Sequence, residues 1–254
     1  MPQLKKKIFI VTGATSGMGR EIAIRFASEG ASVVLSGRNQ ERGEEVVKEI
    51  KKQNGNSVFL AGDVSEPEYN KQLVSTAIDH FGKLNGIVTN AGTLGLGSVT
   101  ELSLEDWDRT FQTNINSVFY LLKYAIPEIV KNEGGVGIVN ASIAAFKSFP
   151  NHAAYCASKA GLVALVKQVA VDYGSKLRIN SICPGPVDTP MIWDSAKAFP
   201  NPKEAVNQAA DATLMKRLGT PNDVAHLALF LATESSGWIT GSSFNIDGGI
   251  MARG

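Results

Sequence analysis

Short apolar, largely β-branched runs recur along the chain at residues 8–11, 33–35, 58–60, 87–88 and 138–139. They are continuous rather than alternating, as in strands buried on both faces of a parallel sheet. Amphipathic stretches separate them. Over 20–28, Ile22 and Phe26 lie about one helical turn apart, and Gly30 follows as a stop signal. Over 41–52 a charged stretch carries Val46, Val47 and Ile50 as one stripe, and over 68–81 Leu73, Ala77 and Ile78 share a face with Phe81 a turn later. A helix over 153–173, a strand over 178–182, a helix over 222–232 and a last strand over 243–246 complete the pattern. Strands alternating with helices predict right-handed βαβ units in an α/β, doubly wound, mostly parallel sheet of about seven strands flanked by helices. No repeat or linker interrupts residues 1–254, so one domain is expected.

Residues 189–218 break the alternation. Pro190, Pro200 and Pro202 sit among Ile192, Trp193, Phe199 and polar residues. The expectation is a long irregular segment acting as a substrate loop or lid.

Composition narrows the function classes. The 254 residues hold 25 basic and 24 acidic side chains, a net charge of +1. That excludes a disordered polyelectrolyte and gives no reason to expect nucleic acid or an anionic membrane as partner. Two cysteines, Cys156 and Cys183, cannot make a disulfide framework, so a reducing, cytoplasmic setting is expected. They and His80, His152 and His226 are too scattered for a zinc site, and no metal is expected. The basic residues 5–7 precede only four strongly apolar ones, too few for a signal-peptide core, and no apolar run approaches the roughly 18 residues of a membrane span.

Chemistry first shows at TGATSGMG, between the first strand and first helix, with Gly13, Gly17 and Gly19. Glycine lets the chain turn sharply and approach a pyrophosphate, and the following helix aims its free N–H groups at that anion. The spacing is GxxxGxG, not the GxGxxG of the general dinucleotide fingerprint. The second strand ends in Ser36, Gly37 and Arg38, with no acid before Glu41. A carboxylate there would select NAD by binding the adenine ribose hydroxyls. Glycine removes that repulsion of a 2′-phosphate and Arg38 offers it a fork of donors, so NADP is favoured over NAD.

Tyr155 and Lys159 form a YxxxK pair one turn apart on a helix face. A neighbouring ammonium favours a phenolate and lowers the tyrosine pKa toward working pH. Ser142 lies 13 residues upstream, just past a strand, at the end where open α/β sheets bind ligands.

With these motifs in this order, the whole chain resembles the short-chain dehydrogenase/reductase family, in its shorter single-domain branch near the 3-oxoacyl-carrier-protein reductases. TGATSGMG is similar to that family's cofactor loop, with Met18 where isoleucine is commoner and Thr15 and Ser16 inside it. The resemblance implies a Rossmann-type dinucleotide-binding oxidoreductase domain. It implies cofactor contacts from Asp63 and Val64 after the third strand, Asn90-Ala91-Gly92 after the fourth, and Pro184-Gly185, Val187 and Thr189 after the sixth. Thr89 stands where the family often has asparagine. It also implies a catalytic set. Tyr155 is the general acid in reduction and base in oxidation, and Ser142 polarises the substrate oxygen. Lys159 binds the nicotinamide ribose and lowers the tyrosine pKa, and Asn114 holds a water that links Lys159 to solvent. A homodimer or homotetramer is implied too, consistent with the small residues Ala153, Ala154, Ala157, Ala160, Gly161 and Ala164.

Substrate walls are expected from 93–97, 143–151 and 190–201, with Leu94, Leu96, Phe146, Phe149, Ile192, Trp193 and Phe199 available. They suit a small carbonyl or secondary alcohol on a carbon skeleton. His152 is expected to be an exposed cap or loop residue. Lys123, Lys131, Lys176 and Arg178 could form a landing patch for an acidic carrier protein but read more simply as solvated faces. The alternatives are an NAD-dependent alcohol, sugar or steroid dehydrogenase, a non-catalytic NAD(P)-sensing regulator, and a nucleotide-binding methyltransferase. The last two have no use for the serine–tyrosine–lysine set.

Overall fold

The computed structural model describes residues 2–132 and 134–252. Seven parallel strands form one sheet: β1 (Ile8–Val11), β2 (Ser32–Gly37), β3 (Asn56–Ala61), β4 (Gly86–Thr89), β5 (Gly135–Asn140), β6 (Leu177–Pro184) and β7 (Ser243–Ile246). Their order is β3-β2-β1-β4-β5-β6-β7, so the direction of winding reverses between β1 and β4. Ile10 pairs with Val34 on one side and Ile87 on the other.

The continuous apolar run of β1 follows from this layering. Successive side chains point to opposite faces. Phe9 and Val11 enter one core with α1 (Gly17–Ser28), α2 (Gln40–Lys52) and α9 (Pro221–Ala232). Ile8 and Ile10 enter the other with α3 (Pro67–Phe81), α5 (Ser117–Ile129) and α6 (Ala153–Tyr173). Phe9 meets Phe26 edge-on at 4.9 Å between ring centroids. Burying each such side chain contributes roughly 1.5–3 kcal/mol.

Two regions differ from the sequence reading. Between β4 and β5 lies α4 (Leu104–Phe111), then a π-helical turn, Gln112–Asn116, then α5. Residues 189–218 are largely helical, as α7 (Pro190–Ala196) and α8 (Pro202–Ala212). Pro190 and Pro202 occupy first helical positions, where the missing N–H costs nothing, and the Asn201 side chain caps α8 by accepting from the Glu204 N–H.

α6 is long and apolar enough by length and composition to cross a membrane, although Lys159 and Lys167 interrupt it. Its stripe of Leu162, Val163, Val166 and Val169 is buried in the core beside β6.

Candidate active site

The carboxyl ends of the strands open onto a crevice at the reversal point between β1 and β4, where doubly wound sheets hold ligands. A groove of about 1060 Å³ runs across it, and a smaller apolar cavity of about 190 Å³ adjoins. Met18, Leu94, Ala141, Tyr155, Thr189 and Met191 line both.

The groove wall is built from glycines that admit no side chain. Gly13 has φ +63°, and a Cβ there would stand 2.9 Å from the Ala91 Cα. Gly17 has φ +53°. Gly19, in the first turn of α1, is pressed on the Gly13 carbonyl. Ser16, the N-cap of α1, makes no side-chain cap bond. Such a bare backbone cradle at a helix N-terminus fits a pyrophosphate. Thr15, Ser16, Asn90, Ala91 and Gly92 complete this stretch.

At the end of β2, a Cβ on Gly37 would meet the Thr15 Cγ2 at 2.5 Å, so a carboxylate at that position would require the Thr15 side chain to move. Arg38 is exposed and lines the groove, joined by Arg42 of the first turn of α2, which sequence reasoning missed. Asp63 and Val64 line the groove on the far side of the same end. The Asp63 carboxylate accepts from the Ser65 N–H at 2.9 Å and the Ser65 hydroxyl at 2.8 Å, which fixes its direction.

Asn90 is tied to both neighbouring strands. Its side chain donates to the Gly13 carbonyl at 3.3 Å and accepts from Asn140 Nδ2 at 2.7 Å. The Thr12 hydroxyl accepts from the Asn90 and Ala91 N–H groups. Thr89 Oγ1, where the family's asparagine is absent, is buried with no hydrogen-bond partner among the described residues.

Ser142, Tyr155 and Lys159 converge where groove and cavity meet. Ser142 sits just past β5 and accepts from the Ala144 N–H at 3.1 Å. Lys159 is buried, its Nζ 5.6 Å from the centre of the Tyr155 ring and donating to the Asn140 carbonyl at 2.8 Å. Burial pushes the Lys159 amine down to about 8. Burial also pushes the Tyr155 phenol up to about 12, against the opposing pull of Ser142. Burial, and not the Lys159 ammonium, is the dominant influence on the phenol here. Desolvation disfavours the phenolate, and the Lys159 Nζ lies over the Tyr155 ring.

Asn114 is fully buried in the π-helical turn, behind the groove wall. Its Oδ1 accepts from the Thr93 N–H at 2.8 Å, and its Nδ2 donates to the Thr93 carbonyl at 3.0 Å and to Ser158 Oγ at 2.9 Å. Pro184, Gly185 and Val187 line the apolar cavity, and Thr189 stands at its junction with the groove.

Leu94, Phe149, Ile192 and Phe199 line the cavity as expected, and Leu96 lines the groove. Phe146 and Trp193 do not, being 49% and 44% exposed, with the Trp193 indole turned onto Asp188 at 3.3 Å. Val206 and Ala209 of α8 and Ile250 near the C-terminus supply wall the sequence did not reveal. His152 caps α6 but is only 4% exposed, contrary to expectation, because α7 covers it. Arg178 is committed to structure. Its guanidinium donates to the carbonyls of Leu231 and Thr233 at the end of α9 and of Ile239 beyond it, so it is not free to join a landing patch.

A glycine cradle at the winding reversal, leading to a buried serine–tyrosine–lysine set, defines a dinucleotide-dependent dehydrogenase. The chain belongs to the short-chain dehydrogenase/reductase family and is an NAD(P)-dependent oxidoreductase. A family model described as enoyl-(acyl carrier protein) reductase matches residues 13–251. The chain is 38% identical over 266 residues to a 3β-hydroxysteroid dehydrogenase of Mediterraneibacter gnavus, covering 98% of this chain and 96% of that one. It is 35% identical over 253 residues to a cyclohexanol dehydrogenase of an Acinetobacter species, covering 99% and 97%. Among solved structures, a 7α-hydroxysteroid dehydrogenase complexed with NADH and 7-oxo glycochenodeoxycholic acid superposes with a TM-score of 0.90 at 36% identity, covering 97% and 95%. Actinorhodin polyketide ketoreductase with NADPH superposes at 0.92 with 27% identity, covering 96% and 97%.

Proposed function

We propose that the protein reduces a small, neutral, apolar carbonyl compound with NADPH, or oxidises the matching secondary alcohol with NADP, using Tyr155 as general acid–base. The observation that carries this is the position of Tyr155, which lines both the groove and the apolar cavity. A phenol at that junction reaches a carbonyl held in the cavity and whatever lies in the groove.

The nicotinamide, when bound, supplies the hydride or accepts it. Gly13, Thr15, Ser16, Gly17, Met18 and Gly19 would hold its pyrophosphate, Asp63 and Val64 its adenine end, and Asn90, Ala91, Gly92, Lys159 and the 184–189 segment its nicotinamide end. Arg38, aided by Arg42 in the same groove, would pair with the 2′-phosphate, and glycine at 37, which places no carboxylate beside that phosphate, supports NADP.

Ser142 donates to the substrate oxygen and holds it beside the phenol. Burial keeps the proton on Tyr155, which suits an acid that must deliver it as the oxygen gains charge. Lys159 steers the ribose. Asn114 spends both amide hydrogens on Thr93 and Ser158, so it holds that wall rigid, and the second lone pair of its Oδ1 remains for a water linking Lys159 to solvent. The 189–218 segment closes the substrate side.

Apolar side chains left outside this chain's own core support a homodimer or homotetramer. They include Leu104 and Phe119 around α4 and α5, Val171 on α6, and Trp238, which is 100% exposed. Free thiols at Cys156 and Cys183 accord with a cytoplasmic setting.

The test is NADPH and NADH oxidation against simple ketones, 3-oxoacyl thioesters and sugars, beside Tyr155→Phe. Turnover with NADPH, abolished in Tyr155→Phe while NADPH still binds, is the expected outcome. A clear preference for NADH overturns the assignment to Arg38. Binding without turnover across the panel favours a cofactor sensor.

A further inference from the structure

The apolar cavity has a second polar point that the hydride chemistry does not use. Among the described residues no charged side chain lines it. Its polar side chains are Ser142, Tyr155, Thr189, His152 and Ser195, and Thr189 already donates to the Val187 carbonyl at 3.3 Å. That leaves His152 and Ser195, hydrogen-bonded to each other at 2.8 Å between Nε2 and Oγ.

For the neutral ring, the direction of that bond follows from the bond the other ring nitrogen makes. His152 Nδ1 lies 2.6 Å from the Pro150 carbonyl, which can only accept, so Nδ1 carries a hydrogen. In the neutral ring Nε2 is then an acceptor, and the Ser195 hydroxyl donates its one hydrogen to it. Ser195, which lines the cavity, then has only the lone pairs of its Oγ left to offer there. It can bind a ligand donor and offers nothing to a carbonyl or ether oxygen. A cationic donor would be desolvated in a cavity with no carboxylate to meet it, which leaves a neutral donor, of which a hydroxyl is the simplest on a carbon skeleton.

The spacing limits the skeleton. The His152 ring centre is 6.2 Å from that of Tyr155, and Phe149 stands edge-on at 6.1 Å on the histidine's other neighbour contact. The space available to the substrate is about 190 Å³, which suits a compact skeleton.

We propose that the cavity selects a compact, apolar hydroxyketone, or the corresponding diol in the oxidative direction, with the remote hydroxyl donating to Ser195. The proposal rests on the carbonyl-reductase reading of the site. Ser195 determines specificity, and His152 is a positioning residue that sets Ser195 as an acceptor. In reduction, hydride adds to the carbonyl carbon and the Tyr155 proton to its oxygen, and the remote hydroxyl is bound unchanged.

The test compares kcat/KM for 4-hydroxycyclohexanone, cyclohexanone and cyclohexane-1,4-dione at pH 8. The wild type is expected to favour the hydroxyketone over both others by about tenfold, the worth of one well-placed hydrogen bond. In Ser195→Ala the preference over cyclohexanone falls to about one. In His152→Phe the freed Ser195 hydroxyl can donate to a carbonyl, so discrimination against the dione collapses, a change that loss of packing alone would not produce. Equal use of the three ketones by the wild type, or a preference that survives Ser195→Ala, overturns the proposal. So does reduction of bulky ketones alone. If no ketone of any size supports NADPH or NADH oxidation, the reductase reading itself fails, and this inference with it.

Discussion

Lys159 Nζ donates to the main-chain carbonyl of Asn140 at 2.8 Å, which makes the lysine the last link of a hydrogen-bonded chain that starts at the glycine loop. Asn140 Nδ2 donates to Asn90 Oδ1, and Asn90 Nδ2 donates to the Gly13 carbonyl. The cradle and the lysine are thus held in one frame across β1, β4 and β5. Asn90→Ala leaves the buried Asn140 amide with only the weak Met18 Sδ acceptor at 3.8 Å, at a cost of about 1–3 kcal/mol. The expected result is a lower urea midpoint together with weaker NADPH binding in a fluorescence titration. A variant that moves stability alone would show that the chain does not transmit to the cofactor site.

The tyrosine makes a sharper demand. With burial holding the phenol near 12, the cofactor-free protein should gain no phenolate at Tyr155 below pH 10. The measurement is absorbance near 295 nm, wild type minus Tyr155→Phe, from pH 7 upward. A midpoint below 10 in that difference would mean that the Lys159 ammonium governs the phenol after all.

Nucleotide choice is expected to depend on two arginines. Removing Arg38 takes away one charge-assisted contact to a 2′-phosphate, so Arg38→Ala should weaken NADPH binding about tenfold relative to NADH. Arg42 lines the same stretch of groove, and Arg38→Ala/Arg42→Ala should extend the loss. Dissociation constants for the two nucleotides check it. An unchanged NADPH to NADH ratio in the double variant would place the phosphate elsewhere. Gly37→Asp tests the wall, since its Cβ collides with Thr15, and it should lower thermal stability as well as NADPH affinity.

What was legible in the sequence follows physical lines. Strands such as Ile8–Val11 were visible because both faces of the sheet are covered, so every position is apolar. Tyr155, Lys159 and Ser142 were legible because helical spacing and strand ends are local properties. The α4–α5 region was not. Leu104, 84% exposed, and Phe119 put apolar side chains on faces this chain does not cover, which blurs the amphipathic period. Pro190 and Pro202 looked like breakers of a loop, whereas at the first helical position they start helices. His152 and Arg42 carried no local signal, since α7 buries the one and the groove, assembled from distant segments, enlists the other.

The buried lysine also leaves a mark on stability. Its amine falls from an ordinary value near 10.5 to about 8 because burial disfavours the charge. Below pH 8 the amine is protonated in both folded and unfolded chains, and the folded state carries the full desolvation penalty. Between about 8 and 10 the folded chain has released that proton while the unfolded chain still binds it. Stability from this group therefore rises with pH through that window. Above 10 the trend reverses, since unfolded tyrosines ionise while Tyr155 holds its proton up to about 12. Lys159→Met removes the first effect. Thermal melts of the cofactor-free wild type and Lys159→Met at pH 7, 8, 9 and 10 should give a difference, wild type minus variant, that is flat up to about 8 and then climbs. A difference that stays flat over pH 8–10 would mean that the folded state does not disfavour the ammonium, its bond to the Asn140 carbonyl offsetting burial, and that desolvation is not the stronger force at this site.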